Sequence, residues 1–181
     1  MKKIIQYDVF RNTADLNSNF FSRLLGLPKV EYLKTFRCAQ YYKNNPVLSN
    51  YYKAKLYLLS LKTFIQIPWN TQVGKGLYLS HRGAVIINPK TVIGDNINIA
   101  TGVTIGQTNR GEKQGCPVIG NRVWIGTNAV IVGKITIGDD VLIAPNSYVN
   151  VDIPSHSVVV GNPAKIMPRE NATEGYINNI V

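Results

Sequence analysis

Two histidines and two cysteines bound the chemistry open to this 181-residue chain. His81 and His156 are too few for a metal site that draws three histidines from one chain, and no metal is expected. Cys38 and Cys116 are too few for a disulfide framework and read as free thiols, the state expected in a reducing cytoplasm. His81 is the better placed base. It lies two residues after Leu79, where the chain turns a corner, so its ring is expected to point outward. Imidazole titrates near neutral pH and can take a proton from a hydroxyl. Cys116 closes a polar stretch, Gln107-Thr-Asn-Arg-Gly-Glu-Lys-Gln-Gly-Cys-Pro117. A thiolate there could carry an acyl group, though a small half-buried residue before a proline is the simpler reading.

The elements that must position these groups follow a period of six. Aliphatic residues fall at Val73, Leu79, Val85, Ile87, Ile93, Ile99 and Ile105, and resume from Ile119 through Ile125, Ile131, Ile137 and Ile143 to Val149. The residue two places earlier is small or aliphatic as well. Two inward positions around one outward position make a short strand, because side chains alternate faces. Gly or Ala follows the key aliphatic residue at most corners, where a larger side chain would be crowded. Three such units close a triangular coil, and stacked coils form a parallel β-helix. Four to five coils are expected. Two departures break the register: two extra residues around Asn88-Pro89, and the polar loop 107–117. A loop leaving a rigid scaffold is a natural place for a site.

Fourteen of the fifteen glycines follow residue 73, so the first part of the chain has another character. Residues 1–62 read as helices. One is expected over 13–25, with Thr13 as N-cap and a stop near Gly26 and Pro28. A second covers 29–44 and ends at Asn44-Asn45-Pro46; a third covers 47–63 with Leu48, Tyr52, Leu56 and Leu59 on one stripe. Met1-Lys2-Lys3-Ile4-Ile5 imitates the start of a signal peptide, but Gln6 and Asp8 interrupt it, and a cytoplasmic protein is expected. The division is therefore a helical region 1–62, a repeat domain 63–167 and a tail 168–181. The helical region and the material after 154 are expected to cover the two open ends of the coil stack.

The net charge is +10. Residues 1–62 hold eleven Lys and Arg against three acids, which leaves +8. Tyr32, Phe36, Tyr41 and Tyr42 are interleaved with these basic residues. That face suits packing on the rest of the chain and on neighbouring subunits, or peripheral contact with a membrane. No zinc-finger spacing, RNA-recognition signature or reading helix is present, so nucleic acid is not an expected partner.

The hexapeptide register, Gly76-Leu-Tyr-Leu-Ser-His81, Gly102-Val-Thr-Ile-Gly106 and Val160-Gly-Asn-Pro-Ala-Lys165 together resemble the serine O-acetyltransferase-like hexapeptide acyltransferases. The resemblance spans about residues 63–167. It implies a left-handed β-helix, against the usual right-handed crossover, a homotrimer with sites between subunits, and acetyl-CoA as donor. It implies His81 as the catalytic base and His156 as structural. Thr127, Pro145 and Asn150 match positions along the donor groove, and Lys165 matches a basic residue near the CoA phosphates.

Three departures from that pattern concern the acceptor. Gln66 stands where serine acetyltransferases have an aspartate that orients the histidine. Gly115 and Cys116 stand where they have an Arg-His pair that contacts the amino acid. With no evident partner for a serine carboxylate, the resemblance shifts toward the capsule and exopolysaccharide O-acetyltransferases. A sugar or glycan hydroxyl is then the expected acceptor, with Gln66 and Cys116 beside it. Serine O-acetylation in cysteine biosynthesis and a non-catalytic trimeric scaffold are the alternatives.

Overall fold

In the computed structural model, residues 2–13, 20–81 and 83–181 are described, residues 20–27 by their backbone alone. Three helices come first: α1 (Lys2–Thr13), α2 (Phe20–Tyr41) and α3 (Pro46–Thr63). The helix expected over 13–25 falls in part on residues 14–19, which lie outside the described residues; of its expected ends, Thr13 belongs to α1 and 20–25 to α2. Thr13 ends α1 instead of capping a helix, and its Oγ1 donates to Val9 O at 2.8 Å. Helix α2 runs through both Gly26 and Pro28. Beyond Pro28 it buries Val30, Tyr32, Leu33, Phe36 and Ala39, and that packing outweighs the local penalty of a helical proline. Helix α3 starts as expected: the Asn45 side chain accepts from Leu48 N at 3.1 Å, with Pro46 in the first turn.

The remainder is a parallel β-helix of about five coils, as the six-residue period predicts. One face stacks Ile65–Gln66, Val85–Ile87, Thr104–Gly106, Val130–Val132 and Tyr148–Val149. The second stacks Gln72–Val73, Val92–Ile93, Val118–Ile119 and Thr136–Ile137. The third stacks Tyr78–Leu79, Asn98–Ile99, Val123–Ile125, Val141–Ile143 and Ser157–Val160, and Lys165–Pro168 is added antiparallel to it. Inward residues form unbroken columns, for example Leu79, Ile99, Ile125, Ile143 and Val159, all at most 1% exposed.

The tail serves the far end of the stack only as far as Pro168. It then turns back along the third face, which the sequence does not foretell. Asp140 accepts from Ala172 N at 3.0 Å, Thr173 N at 3.1 Å and Thr173 Oγ1 at 2.6 Å. His156 Nδ1 lies 2.9 Å from the same carboxylate, which gives this histidine a structural place. Burial opposes the charge on Asp140, but these hydrogen bonds outweigh it and hold its carboxyl below the ordinary range. Farther on, the Tyr176 ring meets Trp124 at 5.1 Å, and Val181 exchanges two hydrogen bonds with Asn96.

The near end has a different problem. The first coil has no strand above it, so its backbone groups lack ladder partners. Side chains of α1 and α2 supply them. Asp8 Oδ1 accepts from Leu77 N at 3.0 Å; Asn12 accepts from Leu79 N at 3.1 Å and donates to Leu77 O at 2.8 Å. Arg11 donates to Gly76 O. Arg37 donates to Val73 O at 2.7 Å and to Gly74 O, and Lys29 donates to Leu79 O at 2.8 Å. The Tyr32 hydroxyl takes both roles at Ile67, accepting from its N–H at 2.9 Å and donating to its carbonyl at 3.1 Å. Burial pushes that phenol up to about 12. Asp8 and Arg37, 1% and 2% exposed, also pair with each other at 2.7 Å.

Asp8→Ala removes the acceptor for Leu77 N–H and leaves the Arg37 charge buried without its carboxylate. Urea denaturation is expected to show a loss of about 3–5 kcal/mol. A loss under about 1 kcal/mol, the range of an exposed pair, would show that the cap does not depend on this ion pair.

Candidate functional site

The site residues are distributed by the register over the two edges of the first face. Leu79 pairs with Ile99, Ile99 with Ile125, and Ile125 with Ile143. Two residues beyond these lie His81, Thr101, Thr127 and Pro145, so they share the corner between the third and first faces. His81 is exposed there. This corner also holds the two extra residues, which the sequence reading placed at Asn88-Pro89. Ser80 N donates to Ile99 O at 3.1 Å, and Gly102 N donates to Ala84 O at 2.6 Å. Between Ser80 and Ala84 the first coil thus has two residues more than the second has between Ala100 and Gly102. The misplacement has a simple cause. Val85 and Ile87 both point inward in one three-residue strand, so counting from Val85 moves the irregularity past it. The bulge carries the histidine out of the ladder. It needs Gly83, at φ 144°, because a Cβ there would meet Thr101 Oγ1 at 2.0 Å.

The opposite edge of the first face carries loop 107–117. Thr108 and Gly115 bridge its base, each donating its N–H to the other's carbonyl at 3.0 Å. Lys113 Nζ reaches along the corner to Asn150 O at 2.8 Å. Cys116 Sγ donates to Asn88 Oδ1 at 3.3 Å. Burial pushes the Cys116 thiol up, with Lys90 pulling the other way, so its environment does not favour thiolate.

The register explains that lysine and reveals another. Val92 pairs with Val118, Val118 with Thr136, and Ile137 bridges to Ile153. Two residues before each of the first three lie Lys90, Cys116 and Lys134, and Asn150 follows in the same column. Two cations therefore flank Cys116 from the coils on either side. Sequence reasoning missed Lys90 and Lys134 because it searched only within the loop. Aligning the coils with the loop excised would have found both.

His81, Thr127 and Pro145 are brought together; Cys116 and Asn150 form a second group. His81 and Cys116 of one chain therefore stand on opposite edges of the first face. Gln66 is exposed on the first face opposite Ile86, and no hydrogen bond joins it to His81 among the described residues. Lys165 is exposed in the final antiparallel strand, paired with Val160. Among the described residues, no cluster of three or more His, Cys, Asp and Glu could hold a metal ion.

Residues 116–150 match the family described as bacterial transferase hexapeptide (six repeats). That segment carries the six-residue repeat of the family. The chain is 39% identical over 108 residues to the serine acetyltransferase of Helicobacter pylori strain 26695, covering 60% of itself and 63% of that relative. It thus spans just under two thirds of that relative's length. Among solved structures it resembles soybean serine acetyltransferase complexed with serine at TM-score 0.77 and 26% identity, covering 92% of this chain and 69% of that one. It also resembles serine acetyltransferase in complex with coenzyme A from Brucella abortus strain S19 at TM-score 0.76 and 26% identity, covering 93% and 68%.

These likenesses overturn the expectation of a sugar or glycan acceptor and, with it, the link to polysaccharide biosynthesis: the relatives are serine acetyltransferases. The physical error lay in treating the loop as the whole electrostatic environment. Gly115 and Cys116 carry no charge, but the register sets Lys90 and Lys134 on either side of them.

Cys116→Ala is expected to keep kcat within about threefold of the parent, because a protonated thiol that donates to Asn88 is no nucleophile. Loss of about 10³-fold or more, or trapping of an acetyl group on Cys116 detected by mass spectrometry, would replace direct transfer with an acyl-enzyme route.

Proposed function

We propose that the chain transfers an acetyl group from acetyl-CoA to the hydroxyl of L-serine. The likeness to serine acetyltransferases, in sequence across the β-helix and in structure across nearly the whole chain, carries this reading. In the proposed step the serine oxygen attacks the thioester carbonyl carbon while His81 takes the hydroxyl proton. The tetrahedral intermediate collapses with cleavage of the carbon–sulfur bond. The CoA sulfur leaves with the proton returned by His81, giving O-acetylserine and free CoA. The exposed position of His81 on its bulge leaves the ring open to an acceptor.

The donor lies along the corner of Thr127 and Pro145, with Lys165 toward the CoA phosphates; Asn150, expected in the same groove, stands instead in the Cys116 column on the opposite edge. The acceptor meets Gln66 and the Cys116 column, where Lys90 and Lys134 supply the positive charge that a carboxylate requires. Because His81 and that column lie on opposite edges of one face, the reading needs a neighbouring copy to bring them together. A homotrimer of three 20.1 kDa chains does so.

Steady-state kinetics with L-serine tests the reaction. Saturable CoA release is expected, with kcat lowered about 10²–10⁴-fold in His81→Ala and an unchanged fold. Lys90→Ala is expected to raise KM for serine about tenfold while kcat holds, the mark of a ground-state contact. No acetylation of serine, or near-parental turnover by His81→Ala, would overturn the mechanism. Light scattering that shows a stable monomer under assay conditions would remove the shared site.

A further inference from the structure

Helix α3 is apolar on two sides. Its inner side buries Ser49, Leu56, Leu59 and Thr63 against α2 and the first coil. Its outer side presents Val47, Tyr51, Leu58 and Leu61, each between 57% and 76% exposed. With exposed Ala54 these residues fall at i, i+4, i+7, i+11 and i+14, a single stripe about 21 Å long. Phe64, 64% exposed, extends it past the end of the helix. An apolar strip of this length on a polar-edged helix marks an interaction surface.

Charge narrows what the surface fits. Helix α3 contains Lys53, Lys55 and Lys62 and no acid. Lys55 and Lys62 border the stripe on one side, on stems long enough to reach past it. Three acids occur in the first 62 residues. Asp8 is buried against Arg37, Glu31 pairs with Lys55 at 3.0 Å, and Asp15 lies outside the described residues. A second copy laid on this face would oppose lysine to lysine around the apolar strip. An anionic surface would complement it. Exposed Tyr41 and Tyr51 flank the stacked pair Tyr42–Tyr52 near one end of the stripe, and tyrosine suits a boundary between apolar and aqueous layers. Among the described residues no helix is long and apolar enough to cross a membrane, so the stripe would lie along one.

We propose that the outward face of α3 docks on an anionic lipid bilayer. The proposal does not rest on the acetyl-transfer reading. Flotation of the purified full chain with phosphatidylglycerol-rich vesicles tests it, with pure phosphatidylcholine vesicles as the comparison. Binding is expected to be at least about tenfold stronger to the anionic vesicles and to fall with added salt. Leu58→Glu with Leu61→Glu is expected to reduce it about tenfold or more, and Tyr51→Asp gives an independent change on the same stripe. All three side chains are exposed, so the thermal unfolding midpoint should stay near that of the parent. Absence of flotation, equal binding to neutral vesicles, or unchanged flotation of folded variants would overturn the proposal. So would a fall in assembly mass on introducing the two glutamates, seen by light scattering, because a second copy would then be the occupant.

Discussion

A stack of parallel coils must end somewhere, and its last backbone groups cannot simply be left dry. Each unpaired buried donor or acceptor costs about 1–3 kcal/mol. At the first coil this protein meets the requirement with side chains, not with another strand. Asp8, Arg11 and Asn12 of α1 and Lys29, Tyr32 and Arg37 of α2 satisfy the edge, and every one of these residues is at least nine-tenths buried. The arrangement fixes where α1 and α2 sit, because six polar groups must meet a rigid backbone at hydrogen-bond distance. It also makes the helices and the coil stack one structure. Burying Asp8 and Arg37 is tolerable only because each satisfies the other and the backbone at once.

The ladder that creates the end also creates the site. A coil adds one residue to each column, so residues far apart in sequence become neighbours along a corner. His81, Thr101, Thr127 and Pro145 are aligned in this way, as are Lys90, Cys116, Lys134 and Asn150. The proposed chemistry lies where the repeat is interrupted. The two extra residues between Ser80 and Ala84 release the histidine from the ladder, and loop 107–117 departs from the opposite edge. The coils between the interruptions stay regular and keep both edges rigid.

In the proposed reading the acceptor depends on the electrostatics of columns, not of loops. A carboxylate needs a cation within a few ångströms in space, and a solenoid can take it from the coil above or below. Gly115 and Cys116 are uncharged positions beside charged ones. A reading confined to the loop finds too little charge for an amino acid, whereas the stacked coils supply Lys90 and Lys134.

The architecture and the exposed position of His81 were legible from sequence because both are local. Side-chain alternation writes a strand and a corner into every six residues, and a histidine in the corner that follows an inward leucine leaves the alternation and can face out. The start of α3 was legible from Asn45 and Pro46 for the same reason. What the sequence could not supply depends on contacts between distant segments. Helix α1 has no clear apolar stripe, because the face it buries is made of Asp8, Arg11 and Asn12 and its partners lie more than sixty residues away. Helix α2 continues through Pro28 because packing beyond it outweighs local propensity. The two extra residues could not be assigned to a corner while Val85 and Ile87 were indistinguishable as inward positions. The pairing of Asn96 with Val181 and the lysines around Cys116 are likewise products of coil register. Periodicity determines that coils stack; only the folded chain decides which residues the stacking brings side by side.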